Sequence, residues 1–258
     1  MMRFFDSHAH YDNKRFDDDR EAVICALQQS GVGAVLNSAS DLPSSEAALQ
    51  LAKKYAFFRA SAGVHPHAAS TLDDDVLQRI VQLCSEEAVV AIGEIGLDYF
   101  YDYSPRNVQR EAFRSQLALA RELDMPVIIH SRDAAQDTFE LVREFRPRGV
   151  VHCFSGSAEL ARQYAAMGLY LGFTGAITFP NARRPLEAAA AVPLSQLLIE
   201  TDCPYMAPIP FRGRRSDSTM LPHTAEVLAA ALGCTIETLA TSTWDNAFRC
   251  FELGGWQP

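Results

Sequence analysis

Basic charge is in short supply in this chain of 258 residues. Lys and Arg total 23 against 32 Asp and Glu, a formal net charge of −9. A wide basic face that grips duplex DNA by its phosphates is therefore not expected. No apolar run reaches the length of a membrane span, so no membrane association is predicted. The opening residues, Met1 to His8, mix charge and polarity too early for an export leader, and a cytoplasmic location is the expectation. Cysteine pairs are also missing. The six cysteines are scattered without a CxxC, which argues for reduced thiols and against a disulfide frame or zinc ribbon. No linker, low-complexity tract or internal repeat divides the chain. One domain over residues 1–258 is the simplest organisation.

What is present is a soluble, core-forming composition with 48% apolar and 21% charged residues. Short apolar runs alternate with helical patterns. Eight candidate strands are read at Arg3–Asp6, Ala34–Ser38, Phe57–Gly63, Val89–Glu94, Val127–His130, Val150–His152, Leu169–Phe173 and Leu197–Glu200. The clearest helix, Asn107–Leu123, repeats Phe113, Leu117 and Ala120 on one face behind Pro105. Repeated β-α units imply a parallel sheet with right-handed crossovers. The first strand is not followed by a glycine-rich phosphate loop. The expected fold is therefore an α/β TIM-type (β/α)8 barrel rather than a doubly wound open sheet.

Polar residues at the predicted strand ends carry the chemistry. Residues two apart on a strand share a face, so His8 and His10 can both turn inward. Glu94, His130, His152 and Asp202 end or follow four further strands. In a barrel these side chains converge on one pocket. So many buried imidazoles and carboxylates need compensation, and divalent cations supply it. Lysine is too rare to bridge two ions in carbamylated form. Only Lys14, Lys53 and Lys54 exist, none near a middle strand end, so a bridge falls to Glu94.

Taken together, the segments Asp6–His10, Gly63–His67, Gly93–Tyr99, Pro126–Arg132, His152–Gly156 and Glu200–Tyr205 resemble the TatD family of metal-dependent deoxyribonucleases. The resemblance runs from about Phe4 to Phe251. It implies that His8, His10 and Asp202 hold one divalent ion (Mg, Mn or Zn), that His130 and His152 hold a second, and that Glu94 serves both. Glu94 and Asp202 are then the catalytic carboxylates, with Asp202 as general base. The family also implies 3′-to-5′ exonuclease action on single-stranded DNA or RNA ends, with no obligate protein partner evident. The same metals could instead serve ester or amide hydrolysis, for example of an aminoacyl ester on RNA. A metal-bound, non-catalytic binding module is the third reading.

Other residues have plainer roles open to them. His65 and Arg132 are candidate phosphate holders, although Arg132 could equally pair with a carboxylate. His67 is expected to support its loop, and His223 to begin a late helix. Tyr99, Phe100, Tyr101 and Tyr103 could stack on unpaired bases or simply pack a long loop. Within the irregular stretch Tyr205–Leu221, residues Arg214–Met220 depart from the family pattern. The stretch is expected over the barrel mouth, with Arg212, Arg214 and Arg215 either meeting a nucleic-acid backbone or lying in solvent.

Overall fold

The computed structural model describes residues 2–258. Eight strands form one parallel sheet in chain order: β1 (Phe4–Ala9), β2 (Val32–Asn37), β3 (Phe58–Ala62), β4 (Val89–Asp98), β5 (Val127–Arg132), β6 (Gly149–Val151), β7 (Tyr170–Phe173) and β8 (Leu197–Ile199). Helices alternate with them: α1 (Arg20–Leu27), α2 (Leu42–Lys54), α3 (Asp74–Cys84), α4 (Arg106–Glu122), α5 (Ala135–Phe145), α6 (Ala158–Ala166), α7 (Arg183–Ala189), α8 (Leu221–Leu232) and α9 (Ile236–Cys250). This is the expected (β/α)8 barrel.

The barrel closes where the first and last strands end. Asp202 N donates to His8 O at 2.9 Å, and His10 N donates to Cys203 O at 2.8 Å. Asp6 strengthens this seam from within, accepting from Thr201 N at 2.9 Å and Thr201 Oγ1 at 2.6 Å. Closure therefore sets Asp202 beside both histidines of β1.

Phe5, Ala34, Leu36, Ala91, Ile128, Val150 and Leu198, from six of the eight strands, pack together in the barrel interior. Phe5 also meets Trp244 and Phe248 of α9, and Trp256 beyond it, which plug the lower end. Between sheet and helices lies a second apolar layer. On α4, the residues Phe113, Leu117 and Ala120 are buried in it, as their spacing predicts.

Element boundaries differ from expectation in instructive places. Strand β4 runs four residues past Glu94, to Asp98, and pairs with β5 as far as Arg132. Helix α2 begins at Leu42, because Asp41 caps it by accepting from Ser44 N and Pro43 fits its first turn. Gly31 ends the first helical segment in the left-handed region, φ 84°, a conformation costly for other residues. Among the described residues, no helix is long and apolar enough to cross a membrane, and all six cysteines are free.

Candidate metal centre

Glu94 occupies the centre of the upper barrel mouth, 4% exposed. Its two oxygens face different histidines. Oε2 lies 3.3 Å from His8 Nε2 and 3.6 Å from His10 Nε2. Oε1 lies 2.7 Å from His152 Nε2 and 2.9 Å from His130 Nδ1. Asp202 Oδ1 completes the first group, 3.3 Å from His10 Nε2 and 3.7 Å from His8 Nε2. All six sequence-predicted ligands therefore meet in one place.

The outer nitrogens of His10 and His130 face acceptors that fix the inner ones. His10 Nδ1 faces the carbonyl of Ser38 at 2.9 Å, so it carries the proton and donates. His130 Nε2 faces Asp98 Oδ2 at 3.2 Å, and His152 Nδ1 faces Glu200 Oε1 at 3.5 Å. His8 Nδ1 lies 3.1 Å from the Ser38 hydroxyl. Neutral imidazoles held this way turn bare nitrogen lone pairs inward. The inward nitrogens also crowd one another: His8 Nε2 and His10 Nε2 are 3.1 Å apart, and His130 Nδ1 and His152 Nε2 are 3.2 Å apart. Two acceptors at that distance need a cation or proton between them. The donor set, imidazole with carboxylate, suits a divalent metal.

His65 belongs to a different category, although its ring sits in the same cluster. Its Nδ1 accepts from His67 N at 3.1 Å, so the ring proton resides on Nε2. That Nε2 points at Glu94 Oε1 from 3.4 Å. Burial drives the His65 pKa down to about 4, with His130 reinforcing the effect, so the ring is neutral. His65 is a hydrogen-bond donor into the pocket, and its inward nitrogen has no free lone pair for a metal.

With only protons available, the cluster shares them unevenly. Burial alone would raise Glu94, but the charge of His152 holds it well below the usual carboxylate range. Asp202 is likewise held down against burial by His10 and His8. Burial opposes charge on His10, yet Asp202 and Glu94 bring its pKa up to about 9. His152 is raised well above the ordinary value, against burial, by Glu94 and Glu200. Burial and His152 push His8 the other way. Metal binding must therefore displace protons from this site.

Asp98 and Glu200, which stand in the quoted motifs without a role, contact the clustered histidines from behind. Asp98 is 1% exposed and also accepts from His67 Nε2 at 2.8 Å, Phe100 N at 3.0 Å and Tyr101 N at 2.9 Å. Glu200 is fully buried and accepts from Cys153 N at 2.6 Å and Ser7 Oγ at 3.3 Å. The period-two spacing of Glu94, Gly96 and Asp98 was the available signal. It is visible only once β4 is carried to Asp98.

The centre opens into a cavity of about 560 Å³ that includes Arg132, Asp12, Asp41, Tyr101, Tyr103 and Tyr205 in its wall. Among the described lining residues Arg132 is the only permanent cation. Its guanidinium lies 4.1 Å over the Phe100 ring and 4.8 Å over Tyr101, and no carboxylate pairs with it among the described residues. Stacking, not an ion pair, holds Arg132. His67 does support its surroundings, through Asp98, and His223 lies in the first turn of α8.

The loop after β8 divides its roles. Tyr205 and Met206 line the mouth as expected. Arg215 folds away to meet both carboxylate oxygens of Asp19, at 2.7 and 2.6 Å, and lies over Phe16. Arg212 lies over Phe179. The three lysines take no part in the centre: Lys53 and Lys54 pair with Glu86 and Glu21 on the outer surface, and Lys14 lies in a one-turn 3-10 helix after β1.

Comparison with known proteins agrees with this architecture. Residues 5–252 match the model of the family described as TatD related DNase. The uncharacterized metal-dependent hydrolase YabD of Bacillus subtilis is 41% identical over 252 residues, covering 96% of this chain and 99% of that protein. A 3′-5′ ssDNA/RNA exonuclease TatD of Cronobacter sakazakii is 39% identical over 258 residues, covering 96% of this chain and 97% of its own. The crystal structure of the TatD homolog YJJV from Escherichia coli superposes with a TM-score of 0.92 at 32% identity, covering 97% of this chain and 98% of that one.

Proposed function

The chain belongs to the TatD family of metal-dependent hydrolases, and from that premise we propose that it cleaves phosphodiester bonds at the ends of single-stranded DNA or RNA. The observation that carries the reading is the division of Glu94, with one oxygen toward His8 and His10 and the other toward His130 and His152. This suits a carboxylate shared by two cations. His8, His10 and Asp202 would hold one ion, and His130 and His152 the other. Bound there, divalent ions supply an activated water and neutralise phosphate charge.

The chain's own residues do the rest. Asp202, kept ionised by its histidine neighbours, has a carboxylate oxygen ready to take the proton of the attacking water. Neutral His65 donates from Nε2 to a non-bridging phosphate oxygen. Arg132, held in place by Phe100 and Tyr101, offers a second, charged donor at the pocket wall. An acidic molecule disfavours long duplex tracts, so a strand end suits this mouth better. The 3′-to-5′ direction follows the name of the 39%-identical exonuclease.

A 5′-labelled single-stranded oligonucleotide tests this, incubated with metal-stripped protein to which Mg²⁺, Mn²⁺ or Zn²⁺ is restored in turn. A ladder shortening from the 3′ end is expected, absent without metal and absent in Glu94→Ala and Asp202→Asn. Metal-loaded protein that leaves both DNA and RNA intact would refute the nuclease reading. The search would then move to esters and amides.

A further inference from the structure

Three rings of the β4–α4 loop are exposed in a protein that leaves few of its aromatics exposed: Phe100 at 56%, Tyr101 at 44% and Tyr103 at 68%. They do different work. Phe100 and Tyr101 lie beneath the Arg132 guanidinium. Tyr103 stacks on Tyr101, centroids 5.2 Å apart and planes within 22°, and meets the edge of His67 at 4.8 Å. Tyr99, by contrast, is tied down by Asp137 at 2.6 Å and covered by Arg106. Nothing in the fold's packing requires a ring as exposed as Tyr103.

The loop is nevertheless held firmly. Asp98 accepts from the backbone of Phe100 and Tyr101, and Gln109 Nε2 donates to Ser104 O at 2.8 Å. Such a ring is ready to be covered without losing much freedom. Its position is also specific. Tyr103 lines the same cavity as Glu94 and Arg132. Two ring-to-ring steps separate it from the centre, 6.4 Å from His130 to His67 and 4.8 Å from His67 to Tyr103.

We infer that Tyr103, backed by Tyr101, is a stacking platform for an unpaired nucleobase next to the scissile phosphate. This rests on the nucleic-acid reading above and deepens it. The platform selects single strands, because a base paired inside a duplex has both faces covered by its stacked neighbours, whereas an unpaired base can turn a face to the ring. Arg132 beside it meets the adjoining phosphate, so one short loop reads both halves of a nucleotide. Any base satisfies the ring, and sequence preference is expected to be weak.

The test compares two single-stranded oligonucleotides, one ordinary and one with abasic units at its last 3′ positions, on metal-loaded wild type, Tyr103→Ala and Tyr103→Phe. The wild type is expected to bind the ordinary strand about 5- to 150-fold more tightly, in KM and in anisotropy-measured Kd. In Tyr103→Ala that ratio collapses toward one, while Tyr103→Phe retains it. Equal loss for both strands would mark the ring as structural and overturn the inference, as would a ratio that Tyr103→Ala leaves intact. A wild type that binds with the predicted ratio but cleaves neither strand would keep the platform and refute only the nuclease chemistry. Binding of neither strand would refute the platform.

Discussion

Replacing Asp98 by Asn separates the orientation of His130, a proposed metal ligand, from the ligand itself. Asp98 Oδ1 accepts from the amides of Phe100 and Tyr101, a role an Asn oxygen can keep. Oδ2 faces His67 Nε2 at 2.8 Å and His130 Nε2 at 3.2 Å. An amide Nδ2 in its place donates rather than accepts. His130 must then accept at Nε2 and carry its proton on Nδ1, the atom that faces Glu94. At 3.2 Å the lost bond is longer than strong charge-assisted bonds, so it belongs at the low end of their range, about 1.5 kcal/mol. That corresponds to roughly tenfold in affinity. Calorimetric titration of metal-stripped protein with Mn²⁺ should show two binding events in the wild type. In Asp98→Asn one should weaken about tenfold while the other, at His8 and His10, stays put. Two unaltered events, or equal weakening of both, would refute the argument that Asp98 sets the tautomer of His130.

The pH dependence has a defined sign. The His10 pKa, raised from 6.5 to about 9 in the metal-free fold, makes its proton a stabilising ligand. That contribution is complete below pH 6.5 and is lost as pH rises through about 9. Apparent metal affinity should climb over the same window, with proton release detectable by calorimetry in buffers of differing ionisation enthalpy. A flat profile would contradict the assignment. Glu200→Gln should weaken metal binding about tenfold through His152, measured by the same titration, because orienting partners of ligating histidines contribute about that much. Gly96→Ala should lower stability by about 2–5 kcal/mol in urea unfolding. Its φ is 144°, and the added Cβ would sit 2.0 Å from the His130 carbonyl oxygen.

The sequence made the first layer of the site readable for a physical reason. Strand alternation puts His8 and His10 on one face, and a closed parallel barrel brings the ends of β4, β5, β6 and β8 to the same mouth. Amphipathic spacing placed α4 for a similar reason. The second layer was harder to see. Asp98 and Glu200 act by accepting hydrogen bonds across the barrel, and no local pattern announces a partner 32 or 47 positions away, as with His130 and Cys153. The role of His65 turned on a backbone contact, His67 N to Nδ1, that fixes a tautomer. Arg132 was poised between phosphate and carboxylate. Only the loop geometry shows that aromatic faces hold it, and only exposure separates Tyr103 from its packed neighbour Tyr99. The arginines of the loop after β8 divide likewise, since the Asp19 that captures Arg215 lies far away in sequence.

The central claim is that one buried carboxylate, Glu94, is shared between two cations held by separate histidine pairs. Anomalous diffraction from crystals of the Mn²⁺-loaded protein tests it most directly. Two peaks are predicted on either side of Glu94, one against His8, His10 and Asp202 and the other against His130 and His152. Glu94→Ala crystals should lose one or both. A single peak, peaks outside this cluster, or undiminished occupancy in Glu94→Ala would contradict the account.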